Sequence, residues 1–263
     1  MFAVIHWNVN PEIFPDLLPI RWYGLLFMSG FVFGYYLLEK VFKREGKAVT
    51  LLDSLSMYVG IGTIAGARLG HCLFYEPAYY LSNPIEILKI WEGGLASHGA
   101  VVGILLANYL YGKKYPQTGF FWVTDRLVMV VALAATLIRL GNLMNSEIVG
   151  SPTNLPWGFV FERLGDGIPR HPSQLYEALF YLISFGILFR AYWKNDAGKY
   201  PGRMFGMFLM LIFGFRFVIE FIKDVQVDFE KSMALNMGQW LSLPLILVGF
   251  WLWYRSKSQI KGA

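Results

Sequence analysis

Three arginines stand inside apolar stretches of this sequence: Arg68 in Gly66-Ala67-Arg68-Leu69-Gly70, Arg139 in Ile138-Arg139-Leu140-Gly141, and Arg216 in Phe215-Arg216-Phe217. A permanent charge in an apolar segment is costly unless paired or hydrated, so each marks a functional candidate. Guanidinium is also a planar fork that grips phosphate through two parallel hydrogen bonds. Groups that orient a headgroup or move a proton accompany them: Tyr23, His98, Asn142, Asn145, Glu147, Gln174 and Glu177. Glu220 follows Arg216 at i+4, on the same helix face, where the two can pair. A neutral imidazole accepts a proton near physiological pH. His98 sits in a glycine-rich run, Glu92-Gly93-Gly94-Leu95-Ala96-Ser97-His98-Gly99, that lets backbone approach a ligand closely. For Arg68 two readings stand side by side, lipid-anion binding and pairing with a carboxylate to hold helices together. His6 and His71 read as structural, His171 as shaping a loop, and Cys72 as a small apolar filler.

The elements that must carry these groups follow from composition. Of 263 residues, 56% are apolar and only 16% charged, against about 25% charged in ordinary soluble domains. Mean hydropathy is +0.44. A single cysteine rules out an intrachain disulfide framework and thiolate-rich zinc sites. The pattern predicts an all-α polytopic membrane protein forming one integral domain over 1–263. Its seven spans are about Leu18–Leu38, Leu52–Phe74, Leu95–Tyr111, Phe121–Met144, Leu175–Trp193, Met204–Ile222 and Trp240–Tyr254. Met1–Pro19 has neither a basic leader nor a clean apolar core, so the first span is the expected insertion signal.

Loop charge sets the expected direction. One side carries Lys40, Lys43, Arg44, Lys47, Lys113, Lys114, Lys194, Lys199, Arg203, Arg255, Lys257 and Lys261; the other carries Lys89, Arg163, Arg170, Lys223 and Lys231. The richer side belongs in the cytoplasm, which places the N-terminus outside and the C-terminus inside. The formal charge of +5 is thus a matter of topology, and no nucleic-acid partner is implied. Outer loops at about 75–94 and 145–172 then hold the longer connections. The second contains Pro152, Pro156, Pro169 and Pro172 and is too broken for a helix. This topology gathers the three arginines, His98, the amides and the carboxylates into one layer at the outer leaflet. Arginines at headgroup depth suit an anionic phospholipid.

Ile138-Arg139-Leu140-Gly141-Asn142-Leu143-Met144-Asn145-Ser146-Glu147-Ile148-Val149-Gly150 resembles the signature of prolipoprotein diacylglyceryl transferases. Four further blocks agree in order and spacing: Arg21-Trp22-Tyr23-Gly24, Gly93-Gly94-Leu95-Ala96-Ser97-His98-Gly99, Arg170-His171-Pro172-Ser173-Gln174-Leu175-Tyr176-Glu177, and Phe215-Arg216-Phe217-Val218-Ile219-Glu220-Phe221. The resemblance covers nearly the whole chain. Departures are Ile138 where Gly usually precedes the Arg, Ser146 where Gly is frequent, and Val149 and Ile212 where aromatics are usual.

The resemblance implies transfer of the diacylglyceryl group from phosphatidylglycerol to the lipobox cysteine thiol of a preprolipoprotein signal peptide. The products are a thioether and glycerol phosphate. The reaction is the first step of lipoprotein maturation and occurs at the outer, periplasmic face of the bacterial cytoplasmic (inner) membrane. In those terms His98, Arg139 and Arg216 are the catalytic candidates. Tyr23, Arg68, Asn142, Asn145, Glu147, Gly150, Gln174, Glu177 and Glu220 are the substrate-binding ones. The nucleophile belongs to the substrate, which leaves Cys72 a spectator. No cofactor or metal is expected, because guanidinium supplies the positive charge. His98 has two open roles, general base and headgroup orienter. A lipid flippase, using the same arginines without chemistry, is the rival.

Overall fold

The computed structural model describes residues 4–15, 17–224 and 233–260. Lys231 and Lys261, counted in the charge balance, lie outside the described residues, as do Met1–Ala3 and Asp16 of the N-terminal segment. The chain is mostly helical. Its long helices are α1 (Trp22–Arg44), α2 (Val49–Phe74), α4 (Ser97–Lys114), α5 (Phe120–Asn145), α6 (Ser173–Asn195), α7 (Arg203–Ile219) and α8 (Met237–Ile260), with a short α3 (Pro77–Ser82). Six helices among the described residues are long and apolar enough to cross a membrane; α4 is not one of them. Its 18 residues span about 27 Å at 1.5 Å each, just short of the roughly 30 Å hydrocarbon core.

Small sheets accompany the helices, which the all-helical expectation lacks. Strand β1 (Ile5–Trp7) pairs in parallel with β4 (Phe159–Phe161), and β4 pairs antiparallel with β5 (Pro169–Arg170). Strands β2 (Glu12–Phe14) and β3 (Leu18–Arg21) form a hairpin. Runs of two to four residues carry too little periodicity to be read from sequence. Leu18–Arg21 was also expected to open the first span. Pro19 pushes the residue before it out of helical backbone, and α1 begins only at Trp22.

The chain folds as two compact units, Met1–Leu37 with Asp125–Ala263, and Leu38–Thr124. In the second, α2 and α4 pack backbone to backbone. A Cβ built on Gly66 would lie 2.4 Å from the Gly99 carbonyl oxygen, and one on Gly103 would lie 2.0 Å from that of Gly62. Gly62, Gly66 and Gly70 facing Gly99 and Gly103 form the small-residue seam that lets membrane helices approach closely. In the first unit α7 and α8 meet the same way, a Cβ on Gly206 falling 2.6 Å from the Gly249 carbonyl oxygen. The far end of α5 is fastened by its own charges. The Asp125 carboxylate accepts the backbone N–H groups of Gly202 and Phe205 at 2.7 and 2.8 Å, and Arg126 donates to the Gly198 carbonyl.

Candidate active site

In the first unit the signature occupies the end of α5 and the turn that stops it. The Ser146 N–H donates to the Leu143 carbonyl and the Glu147 N–H to that of Asn142, the two bonds of a Schellman cap. Such a cap needs a left-handed residue after the helix, and Ser146 supplies it at φ +55°. Left-handed backbone costs an L-residue roughly 1–2 kcal/mol, which accounts physically for the frequent glycine there in the resembling signature. The Ser146 hydroxyl is also buried with no hydrogen-bond partner. Ser146→Gly should therefore raise stability by about 0.5–1 kcal/mol, once the roughly 0.5–1 kcal/mol entropy cost of glycine is subtracted. Thermal unfolding of the detergent-solubilised protein checks this, and a lower melting temperature would contradict it.

The cap folds Glu147 back onto the helix, where its Oε1 accepts from Asn142 Nδ2 at 2.7 Å and Asn145 Nδ2 at 3.2 Å. Arg139 Nη1 donates to Asn142 Oδ1 at 3.2 Å. Asn142 thus links the arginine to the turn. Gln174 Nε2 donates to the Glu147 carbonyl at 2.6 Å, and Ser173 to that of Ile148 at 2.7 Å, so α6 fixes the turn from its own first residues. Tyr23 lies against the opposite side: a Cβ on Gly141 would meet its ring at 2.8 Å. Gly150 is needed for closeness, since a Cβ there would fall 2.6 Å from the His171 Cβ and 2.8 Å from the Ile222 carbonyl oxygen. Val149 packs against the apolar cluster of Leu143, Phe159 and Phe161.

Joined to the turn through Arg139 is a cluster of charges around the buried Glu177 carboxylate. Arg139 Nε is 3.1 Å from Glu177 Oε2, and the Glu177 side chain is fully buried. Glu177 Oε1 accepts from Tyr181 at 3.2 Å and Lys223 at 3.3 Å. Lys223 also reaches Glu220 Oε1 at 3.5 Å, and Arg216 Nε lies 3.6 Å from the same oxygen. Asn236 Nδ2 donates to Glu220 Oε2 at 3.0 Å. Three cations therefore face two carboxylates, leaving one positive charge in excess. Arg216 holds its carboxylate loosely, and its Nε has no hydrogen-bond partner.

Lys223 was counted in the sequence only as an outer-loop charge, and Tyr181 was not singled out at all. The signal for Lys223 was its spacing, three residues after Glu220 and seven after Arg216; the chain leaves α7 after Ile219 for a 3-10 turn over Glu220–Ile222, and Lys223 reaches the carboxylates from the extended backbone that follows. Gln174 holds backbone through Nε2 while its Oε1 is buried without a hydrogen-bond partner, and Gly150 lets the His171 and Ile222 backbone approach.

The other candidates belong to the second unit. Arg68 is 3% exposed. Its guanidinium donates to the carbonyls of Glu86, Ile87 and Gly93, at 2.6, 3.0 and 2.6 Å, and lies over the Tyr80 ring. Neither a carboxylate nor a lipid is required to satisfy it; the loop's own carbonyls do so. Gly94 is left-handed at φ +65°, and a Cβ there would fall 2.8 Å from Arg68 Nη1. His98 stands exposed in the first turn of α4. It borders an apolar groove of about 700 Å³ along α2 and α4, lined by Ile61, Leu69, Leu73, Val102 and Leu106. Cys72 is fully buried on α2.

The 145–172 segment is tied down by polar contacts outside the spans. Arg170 pairs with Asp166 and Asp224. The Ile168 N–H and the Arg170 guanidinium hold the Asp166 carboxyl below its ordinary range. His171 exchanges backbone hydrogen bonds with Gly150 and Ser151, and burial pushes its imidazole pKa below the usual value. The sign is clear: an unfolded His binds more protons than the folded one, so the contribution is complete above about pH 6.5 and is lost as pH falls through the folded pKa. Melting temperature should fall on acidification through that window, and His171→Gln should flatten the dependence. An equally steep profile in the variant would remove His171 from this role.

The family model described as prolipoprotein diacylglyceryl transferase matches residues 11–255. A phosphatidylglycerol–prolipoprotein diacylglyceryl transferase of Chloroherpeton thalassium is 48% identical over 258 residues, covering 98% of this chain and 96% of that protein. Proteins of the same name from Tolumonas auensis (48% identical, 94% and 95% covered) and Porphyromonas gingivalis (47% identical, 97% and 95% covered) are similar along their length as well. With its signature forming the helix cap, and Arg139 and Arg216 set against the Glu177 and Glu220 carboxylates, the chain belongs to the prolipoprotein diacylglyceryl transferase family.

Proposed function

We propose that this chain transfers the diacylglyceryl group of phosphatidylglycerol to the thiol of a lipobox cysteine in a preprolipoprotein, at the outer face of the bacterial cytoplasmic membrane. The observation that carries the reading is the cluster of Arg139, Arg216 and Lys223 around Glu177 and Glu220, positive overall and partly unsatisfied at Arg216. The substrate thiolate attacks the glyceryl carbon bonded to the phosphate oxygen. A C–S bond forms, the C–O bond breaks, and its electron pair leaves with glycerol phosphate. Negative charge on the departing phosphate grows along this path. Arg139 and Arg216 accelerate the step to the extent that they bind that growing charge more tightly than the ground state. Glu220 and Glu177 orient the guanidiniums, while Tyr23, Asn142, Asn145 and Glu147 shape the headgroup site. His98 keeps its two roles, base or headgroup orienter. No cofactor or metal enters the scheme.

The reading takes α4 as a seventh span, with the N-terminus outside, the C-terminus in the cytoplasm and the 145–172 segment facing outward. A flippase would need polar groups leading away from the cluster. Asp125 and Arg126, at the other end of α5, instead fasten backbone.

Purified protein mixed with phosphatidylglycerol and a lipobox peptide should add one diacylglyceryl mass to the peptide. A peptide with Ser in place of the lipobox Cys should gain nothing. Unmodified cysteine peptide, with folded protein and intact lipid, would defeat the reading. For orientation, a cysteine placed near Gly165 in a Cys72→Ser background should react with an impermeant thiol reagent on intact cells. Labelling only after permeabilisation would reverse the topology.

A further inference from the structure

A polar cavity of about 310 Å³ opens beside Glu147, and neither Arg139 nor Asn142 is among its lining residues. Its walls include Asn10 and Glu12 of the N-terminal segment, Arg21 at the end of β3, Asn145 and Glu147 of the helix cap, and Arg163. Arg163 lies in the 3-10 turn Glu162–Leu164 that follows β4. Pairing explains how residues so distant in sequence converge. Glu12 stands directly across the hairpin from Arg21, while β1 holds β4, and with it Arg163, to the same segment. Among the described residues neither Arg21 nor Arg163 has a side-chain partner. Glu162, the neighbour of Arg163, is taken by His6 at 2.5 Å.

Two uncommitted guanidiniums grip a phosphate. Carboxylates in the same cavity would repel a bare phosphate, yet they are acceptors that suit hydroxyl donors. Glu12 is one such acceptor, and Glu147 already shares its Oε1 between two amides. Asn145 Oδ1 is a further acceptor, buried and unpartnered. The combination fits a molecule with phosphate at one end and hydroxyls at the other. The size is at the small end of ligand pockets, which start near ~300 Å³. We propose that this cavity is a receiving site for a polyol phosphomonoester, the glycerol phosphate set free by the reaction. The proposal rests on the transferase reading, and assigns Arg21 and Arg163 to holding the departed product. Glu147 and Asn145 are the shared wall, hydrogen-bonded to each other, with Glu147 also joined to the arginine site through Asn142.

The test titrates glycerol phosphate, glycerol and inorganic phosphate into detergent-purified protein by calorimetry, and measures product inhibition of peptide modification. Glycerol phosphate should bind, and bind more tightly than inorganic phosphate or glycerol. In Arg21→Gln/Arg163→Gln its binding and inhibition should weaken about tenfold or more, the scale of losing charge-assisted contacts. The KM for phosphatidylglycerol should stay within about twofold, because the arginine cluster is untouched. Arg21→Lys/Arg163→Lys keeps the charge but not the fork and should bind between the wild type and the Gln variant, which guards against misreading a poorly folded double Gln variant. Unchanged glycerol phosphate binding in the Gln variant would overturn the proposal. So would a KM for lipid rising in step, which would make the cavity a headgroup site of intact phosphatidylglycerol. Inorganic phosphate binding equally well would overturn polyol recognition. If the wild type forms no thioether while calorimetry still shows arginine-dependent binding, the transferase reading fails and the cavity stands.

Discussion

Arg139→Gln should lower kcat by roughly 10²–10³, about 2.7–4 kcal/mol, the scale for removing one donor aimed at developing negative charge. The variant should still fold. Truncating one member of a buried ion pair usually costs about 3–5 kcal/mol, because the other charge is stranded. Here Glu177 Oε1 would keep Lys223 at 3.3 Å and Tyr181 at 3.2 Å, so the charge stays paired although Oε2 loses its arginine. The Arg139→Gln/Glu177→Gln pair removes both partners and separates folding from catalysis. If its melting temperature recovers while kcat stays low, the loss belongs to phosphate stabilisation. Arg139→Lys should rescue only part of the rate, since a point charge lacks the guanidinium fork. Normal turnover by a stably inserted Arg139→Gln protein would contradict the clamp.

His98→Gln should nearly abolish turnover at neutral pH if His98 takes the thiol proton. A free cysteine thiol ionises near 8.5 and an ordinary imidazole near 6.5, so the transfer is uphill by about 2.7 kcal/mol unless the site favours thiolate. Raising the pH supplies thiolate directly. The ratio of variant to wild-type rate should therefore climb between about pH 7 and about pH 9, with lipid binding intact. If the ratio is flat and lipid affinity falls, His98 orients the headgroup instead. The ratio matters, because the wild-type rate drifts with pH too.

The helical frame was largely legible in the sequence because long apolar runs leave little choice of structure. The start of the first expected span was misplaced by four residues, where Pro19 favours the β3 strand over helix. The small strands, only two to four residues long, were invisible to periodicity. In the site, Arg216 with Glu220 followed from i+4 spacing, and the structure holds them as a loose pair. Arg139 with Glu177 did not, because the partners are 38 residues apart on different helices. Arg68 shows the limit most plainly. Its charge inside an apolar stretch was noticed, yet the carbonyls that satisfy it lie in an irregular segment whose path no local rule supplies. Lys223 was legible by its spacing from Glu220, but counting it as a topological charge hid its ion pairs with Glu177 and Glu220.

The arginine cluster, in the proposed reaction, drives a coupled exchange, one C–S bond made for each C–O bond broken. The most direct measurement follows thioether-linked peptide and free glycerol phosphate together in one reaction of purified protein with phosphatidylglycerol and a lipobox peptide. The two should appear one for one from the first time point, and both should fall together in Arg139→Gln. Glycerol phosphate released without peptide modification, or lipid moved between leaflets with neither product formed, would contradict it.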